Sequence, residues 1–234
     1  GAAFHSDQNL YSRQEGQIDY ASAGRLVLAE GKRAQAKLDE VADKVEDPRI
    51  EEARQKVGEA LSAREAETDP EKNKQALDNV LEARRMLADI RKSHLRTLRQ
   101  VELDGARTFY DEGIKKHARP SEQGSFEALF KSAQAAIDRN DHDFENLIGD
   151  LRGRFWDVLW RQDWFVVDRF RRAEASPEAY GDVRAYGQLI EAGRDAMERG
   201  DVDKLRNVVM ELGAIRVGSA DDDDMVAPAN IVRS

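Results

Sequence analysis

One short phrase occurs twice in this chain, as AIDRNDHDFENLIGDL at residues 136–151 and as AMERGDVDKLRNVVMEL at residues 196–212. With one residue of slippage the aligned pairs are Ala136 with Ala196, Arg139 with Arg199, Asn140 with Gly200, Asp141 with Asp201, Asn146 with Asn207 and Leu151 with Leu212. Asn and Gly tolerate the left-handed conformation that ends a helix, and an Asp directly afterwards can accept hydrogen bonds from the free N–H groups of the next helix. Each copy therefore predicts a helix, a tight turn and a second helix.

The composition favours solvated helices around narrow cores. Of the 234 residues, 35% are charged and 40% are hydrophobic, which suits one extended domain or two small ones. Prolines, which do least harm where helices start and stop, stand at Pro48, Pro70, Pro120, Pro177 and Pro228. We therefore predict an all-α fold of elongated helical bundles, built from αα-hairpins and with a long connecting helix.

Four segments follow from these breaks. Residues 1–18 show no helical period and predict an irregular lead-in. Residues 19–118 predict an N-terminal helical bundle that includes the long helix, and residues 119–217 predict a C-terminal helical bundle. Residues 218–234 are polar and broken, which predicts a disordered acidic tail.

Two predicted helices are unusual. Helical spacing of apolar residues continues from Pro70 to about Ala118 without a convincing break. At 1.5 Å per residue this helix would be roughly 70 Å long, so it would have to join both bundles. The second helix, from Asp141 to about Ala173, is apolar around most of its circumference, and such a helix is usually enclosed by neighbours.

The charge balance argues against nucleic acid as a partner. The formal net charge is −9 and the isoelectric point is near 5.1, whereas phosphates require a clustered basic surface. The densest basic stretch, from Arg84 to Arg99, spreads around a helix and so favours an ordinary solvated face. No apolar run approaches the ~20 residues needed to cross a bilayer, so we expect a soluble chain with no membrane partner.

No local motif predicts an enzyme. The chain has no Cys, which excludes disulfides and thiolate metal sites. His142 and Glu145 form a lone HxxE pair, for which a place on the surface and a pair of metal ligands are the alternatives. Carboxylates are too abundant to single out an acid–base pair, and we find no P-loop, GxGxxG or GxSxG. We therefore predict no catalytic residue, no cofactor and no bound metal.

Three tryptophans, Trp156, Trp160 and Trp164, stand four residues apart and would form a band on one helix. As a site, this band could stack on a ligand or on an apolar peptide. As part of a bundle core, it would bury the large apolar area that its helix carries. Both interpretations stay open, and the three residues are candidate partner contacts.

A second candidate contact lies in the tail. The acidic run Asp221, Asp222, Asp223 and Asp224 is followed by Met225 and the short apolar stretch VAPANIV. A partner with basic and apolar pockets could bind this run as a linear tag. The alternative is a solubilising tail.

The order of these parts resembles the C-terminal helical region of the 70-kDa heat shock protein (DnaK) chaperones. In that family a β-sandwich that grips peptide is followed by a helical lid, in which a long helix runs into a small distal bundle, and then by a disordered tail. The matching parts here are the lead-in FHSDQNLYSRQEGQIDY, the helical body from Asp19 onward, the long helix from Pro70 to Ala118, and the phrase AMERGDVDKLRNVVMELGAI. That phrase looks like the closing hairpin of the family's bundle.

The resemblance implies a non-catalytic, lid-like region of a stress-response chaperone in the cytoplasm. Through a longer parent chain, it would help to retain client peptide and to bind co-chaperone proteins by docking on or leaving the peptide cleft. Because the chain begins with Gly1 rather than Met, we expect an excised piece, and an apolar first helix exposed by excision would favour homo-oligomers. The alternative is a free-standing helical interaction module that holds a helix of its partner.

Overall fold

The structure is a computed structural model, and it describes residues 20–62 and 70–217. Regular structure in these ranges is helical, which confirms the all-α fold class. The helices are α1 (Tyr20–Ala42), α2 (Arg49–Ser62), α3 (Pro70–Ser93), α4 (Leu95–Phe109), α5 (Pro120–Arg139), α6 (Phe144–Trp160), α7 (Asp163–Ala175), α8 (Val183–Glu198) and α9 (Val202–Ala214). The predicted lead-in, the predicted tail and its residues Asp221 to Met225 lie outside the described residues.

The chain divides into two compact units, one ending at Leu98 and the other beginning at Arg99. In the first unit, α1, α2 and α3 bury one face each. The buried face of α2 consists of Ile50, Ala53, Val57 and Ala60, at spacings of three and four residues. Two small alanines on this face allow close approach of neighbouring helices, so a thinly apolar helix still completes a core.

The second unit contains two hydrophobic cores. One core is rich in aromatic side chains and is built by α4, α5 and α6. The other is built by α7, α8 and α9 around Phe170. Trp160 packs against both cores, and Phe165 near the start of α7 belongs to the first. The second unit is thus a pair of three-helix groups joined at the corner between α6 and α7.

The long helix predicted from Pro70 to Ala118 is interrupted at His94, between α3 and α4. Ser93 Oγ donates a hydrogen bond to the carbonyl oxygen of Asp89 (2.9 Å) and accepts one from Arg49 Nη2 (3.1 Å). A side-chain hydroxyl that bonds back to a carbonyl four residues earlier bends a helix. The Arg49 contact comes from the start of α2, which is distant in sequence, so the apolar spacing of the helix does not reveal the interruption.

A second departure from the predicted long helix follows α4. The chain forms a π-helical turn over Tyr110–Ile114 and a 3₁₀ turn over Lys115–His117, and Ala118 is extended. Tyr110 and Ile114 are buried in the aromatic core, together with Leu103 and Phe109 of α4. The structure therefore divides the chain at Leu98, about twenty residues before the predicted boundary at residue 118, because the apolar side chains of this stretch belong to the second unit.

The central helix predicted from Asp141 to Ala173 is also two helices. It breaks at Arg161 and Gln162, where Gln162 has an extended backbone (φ −90°, ψ 122°). An apolar surface on every side requires neighbours on every side. With the break, the buried residues of α6 pack in the first core, whereas Val166 and Phe170 of α7 pack in the second.

The two copies of the repeated phrase form the predicted αα-hairpin turns. Asn140 and Gly200 have φ of 52° and 67°, and each ends its helix in the left-handed conformation. In both copies the next backbone N–H donates a hydrogen bond to a carbonyl oxygen five residues earlier. Asp141 N–H donates to Ala136 and Asp201 N–H donates to Ala196, each at 2.8 Å. The two alanines are fully buried, so the turns close over equivalent points of the two cores.

The copies differ after the turn. The carboxylate of Asp201 accepts a hydrogen bond from the backbone N–H of Lys204 (3.0 Å) and caps α9, as predicted. The carboxylate of Asp141 instead accepts from the N–H of Asp143 (3.2 Å), and α6 begins only at Phe144. The one-residue slippage in the aligned sequences lies in this region.

Candidate functional site

The three tryptophans do not form one band. Trp156 and Trp160 lie on α6, whereas Trp164 lies in the first turn of α7, beyond the break. Trp164 is 45% exposed, and its ring contacts Phe165 and His117 with centroids 5.8 and 5.9 Å away. Trp164 is thus separated from the other two by the corner between the helices.

Trp156 and Trp160 form a stacked pair. Their ring centroids are 5.3 Å apart with planes inclined by 20°, and Trp156 meets the edge of the Phe165 ring at 5.2 Å. The Arg169 guanidinium carbon lies 5.7 Å from the centroid of the Trp156 ring, within the range of a cation–π contact. Both tryptophans are half-buried and pack against the cores. Each ring therefore packs against a core and also lines a concavity at the surface.

This concavity, which we call the tryptophan groove, has a volume of about 600 Å³ and is lined by α6, α7 and α9 together with the segment between α7 and α8. Its apolar floor includes Trp156 and Trp160 from α6, and Val209 and Met210 from α9. Met210 is 61% exposed, which is unusual for a large apolar side chain beside two half-buried tryptophans. Exposed apolar surface within a concavity is typical of a binding site.

Positively charged side chains line the same groove. Arg169 and Arg172 of α7 and Arg216 after α9 line the groove, and its lining residues, all within the described ranges, include no Asp or Glu. Arg172 Nε donates to Asp168 Oδ2 at 2.7 Å, so one nearby carboxylate offsets part of this charge. Burial raises the pKa of Tyr180, which also lines the groove, so its phenol adds no negative charge near neutral pH.

Local sequence explains how each helix presents these residues. On α7, Arg169 and Arg172 are three residues apart and share a face. On α9, Val209 is followed at four and seven residues by Gly213 and Arg216, which continue one stripe onto the segment beyond the helix. Helical spacing could thus have grouped the residues of each helix, but the meeting of the three stripes depends on tertiary structure.

Sequence reasoning missed Met210 and the three arginines of the groove. Met210 lies within the second copy of the repeat, between the matched residues Asn207 and Leu212. In the first copy, alignment with one residue of slippage places Gly149 opposite Met210. A large apolar residue where the paired copy has Gly was the available signal.

In the HxxE pair, Glu145 is engaged by an arginine. Glu145 accepts hydrogen bonds from Arg99, with Arg99 Nη2 2.7 Å from Oε1 and 2.9 Å from Oε2. Arg99 is buried, with its guanidinium carbon 5.4 Å from the centroid of the Phe144 ring. Throughout residues 20–62 and 70–217, we find no group of three or more His, Asp or Glu side chains arranged to hold a metal ion. Glu145 therefore holds a buried guanidinium.

The basic stretch from Arg84 to Arg99 is divided among separate ion pairs. Arg84 Nη1 lies 3.0 Å from Glu30 Oε2, and Arg99 pairs with Glu145. These two arginines thus pair with carboxylates of different helices, which supports structural positions for both. In the same described ranges, no helix combines the length and hydropathy that crossing a bilayer requires.

Comparison of the chain with protein-family models, with curated proteins and with solved structures gave no match.

Proposed function

We propose that this chain is a non-catalytic helical binding module, which takes a short peptide with apolar and acidic residues in the tryptophan groove. One observation carries the proposal: exposed Met210, other apolar side chains and three arginines line the same concavity. Aromatic, Met and Arg side chains are the types enriched where proteins bind one another.

The chemistry of the groove selects the class of ligand. Arginine matches carboxylate geometry with two parallel N–H donors, which favours acidic groups over neutral ones. Methionine is flexible and polarizable, so Met210 can adapt to apolar side chains of different shapes. A peptide with neighbouring acidic and apolar residues satisfies both parts of the site, whereas a wholly apolar peptide makes no charge-assisted hydrogen bond with the arginines.

The test is fluorescence polarization with a short labelled peptide that has an acidic half and an apolar half. A second peptide with Lys in place of every acidic residue tests the charge requirement. We expect the acidic peptide to bind, and Met210→Asp to weaken binding at least tenfold because it places a carboxylate on the apolar floor. Val183→Asp is the matched control, since Val183 is 77% exposed and lies on α8 outside the groove.

Equal binding of the two peptides, or equal affinity of the Met210→Asp and Val183→Asp variants, would refute this use of the groove. Circular dichroism of each variant would establish that the helices remain intact. Absence of binding by every peptide tried would refute the proposal as a whole.

A second proposal places this module in a parent protein, as the lid-like C-terminal region of a DnaK-type chaperone. Its support is the resemblance of AMERGDVDKLRNVVMELGAI to the closing hairpin of that family, and this phrase forms the hairpin between α8 and α9. In this role the chain hydrolyses nothing. It helps to retain client peptide, contacts co-chaperone proteins and acts in the cytoplasm, without nucleic acid or membrane as partners.

The parent gene provides the test of this placement. We expect a chaperone ATPase and a peptide-binding sandwich to be encoded upstream of Gly1. Deletion of residues 1–234 from that protein should accelerate release of a labelled client peptide in ADP more than in ATP. An unrelated upstream sequence, or unchanged release with both nucleotides, would leave the free-standing binding module as the function.

A further inference from the structure

The chain leaves its last helix at the edge of the tryptophan groove. After α9, Arg216 pairs with Tyr180 in an isolated antiparallel bridge, and the N–H of Val217 donates to the carbonyl oxygen of Ala179 (2.8 Å). Arg216, Tyr180 and Ala179 all line the groove. The bridge therefore fixes the point from which residues 218–234 continue.

The sequence beyond this point has the composition that the groove selects. Gly218, Ser219 and Ala220 lead to the acidic run Asp221 to Asp224, which Met225 and Val226 follow. A chain spans at most about 3.6 Å per residue, so Asp221 can reach about 14 Å from Val217 and Val226 about 32 Å. Because Arg216 itself lines the groove, the acidic run starts only five residues beyond a lining residue.

Charge complementarity favours this segment over the rest of the surface. The run supplies four carboxylates, and the groove supplies Arg169, Arg172 and Arg216 with no acidic residue in its described lining. The protein as a whole has a net charge of −9, so a groove lined by three arginines is a local exception. Its positive charge would attract an acidic segment. Met225 and Val226 offer apolar side chains for the floor of Trp156, Trp160 and Met210.

We propose that the tryptophan groove holds the chain's own tail, with Asp221 to Asp224 against the arginines and with Met225 and Val226 on the tryptophan floor. This inference rests on the proposed binding function and identifies the ligand that occupies the site when no partner is present. A short tether gives the tail an effective concentration of about a millimolar. The tail therefore competes with external peptides for the groove.

The first experiment compares the full chain with a variant whose four tail aspartates are all replaced, D221N/D222N/D223N/D224N. The probe is the acidic and apolar labelled peptide described above. We expect the variant to bind this probe at least tenfold more tightly than the unmodified chain, because its tail no longer competes. The matched control is the conservative quadruple change D221E/D222E/D223E/D224E, which keeps the charge and should bind the probe as the unmodified chain does.

The outcomes separate the inference from the function on which it rests. If neither the unmodified chain nor the Asn variant binds the probe, the proposed function fails. If both bind it with equal affinity, the groove binds peptide but the tail does not occupy it, and only the inference fails. Equal binding by the Asn and Glu variants would likewise refute the role of the tail charges.

A second experiment detects the contact directly. The chain contains no Cys, so Ala227→Cys provides a single attachment point for a fluorophore that tryptophan quenches on contact. We expect quenched emission that recovers at 1 M salt, where the screening length falls to about 3 Å, and in the Met210→Asp variant. A fluorophore at Ser234→Cys, beyond the acidic and apolar stretch, is the matched control. Its emission should increase less at high salt and in the Met210→Asp variant.

Two results would overturn the inference. Emission from the label at residue 227 that is unchanged by salt and by Met210→Asp would show that the tail does not contact the groove. Quenching that disappears on dilution would show that a second copy of the chain supplies the tail, rather than the same molecule.

Discussion

Tyr110 shows how one side chain can weaken the core to which it belongs. Its ring is fully buried, with centroids 4.9 Å from Phe126 and 5.6 Å from Phe130. Its hydroxyl has no hydrogen-bond partner among the residues that the structure describes. Burial raises the pKa of Tyr110, so the group is a neutral phenol whose buried oxygen has no partner among these residues.

We predict that Tyr110→Phe increases the free energy of unfolding by about 1 kcal/mol, since a buried unsatisfied polar group costs about that amount. The ring contacts are kept, and only the hydroxyl is removed. Chemical denaturation followed by circular dichroism measures the change.

Tyr186→Phe is the matched control. The Tyr186 hydroxyl lies 3.2 Å from the carbonyl oxygens of both Ala173 and Glu174, to which it can donate. Its removal should decrease the free energy of unfolding by about 1 kcal/mol. If both variants lose stability equally, the Tyr110 hydroxyl has a partner, such as a buried water.

Glu122 connects the start of α5 to the corner between α6 and α7. Its carboxylate accepts hydrogen bonds from Arg161 Nη1 and Nη2 (2.7 and 2.8 Å) and from the backbone N–H of Arg119 (2.8 Å). The Arg161 bonds, followed by the Arg119 N–H, lower the pKa of Glu122 from 4.5 to about 2. Because the folded state favours the ionised carboxylate, its stabilising contribution is present above pH 4.5 and is lost as the pH falls toward 2.

We predict that Glu122→Gln decreases stability at pH 7 and flattens the fall in stability between pH 4.5 and 2. Thermal unfolding at a series of pH values measures both effects. Glu112→Gln makes the same chemical change at an exposed position of the π-helical turn and is the control. The same pH profile for both variants would contradict the role of Glu122.

At the scale of the helices, close approach depends on one glycine. Gly193 is buried on α8, and a Cβ atom at this position would overlap the ring of Phe170 on α7. Gly187 lies on the same helix with open space around its missing Cβ. Three residues before the repeated phrase begins, Gly193 corresponds to Ala133, which is also fully buried, so this helix position carries a small residue in both three-helix groups.

We predict opposite effects of alanine at these two glycines. Gly193→Ala should decrease the free energy of unfolding by about 1–3 kcal/mol through overpacking against Phe170. Gly187→Ala should increase it by up to about 1 kcal/mol, because alanine favours the helix and meets no neighbour. Urea denaturation measures both changes, and a stabilising Gly193→Ala would show that α7 and α8 separate without cost.

At the scale of the whole molecule, the division at Leu98 assigns each core residue to one unit. Leu38 of α1 is fully buried in a core of the first unit, and Leu151 of α6 is fully buried in the aromatic core of the second. The two residues are chemically identical and equally buried. They therefore provide a matched pair for testing the division.

We predict that Leu38→Ala and Leu151→Ala each cost about 2–5 kcal/mol in the unit that contains the cavity. Amide hydrogen exchange should show the largest loss of protection in α1 to α3 for Leu38→Ala, and in α5 and α6 for Leu151→Ala. The same pattern of lost protection in both variants would contradict the division into two units.

Local chemistry made part of this architecture readable from sequence alone. The turns at Asn140 and Gly200 were predictable because only a few residue types adopt positive φ without strain, and the repeated Asp follows each turn. The all-α class followed from apolar spacing and from prolines at the breaks. The break at Gln162 was not predictable, because apolar periodicity continues through it and two separate cores share the aromatic residues.

The sequence by itself determined which segments are helical and where the hairpins turn, because these features depend on residues within a few positions of one another. Tertiary structure alone decided the tryptophan groove. Trp160, Arg172 and Met210 come from three different helices, and nothing local to any of them specifies which stripes will meet. The same reason applies to the interruption at His94, where the loop before α2 supplies Asp47, whose Oδ2 accepts a hydrogen bond from His94 Nε2 (2.9 Å).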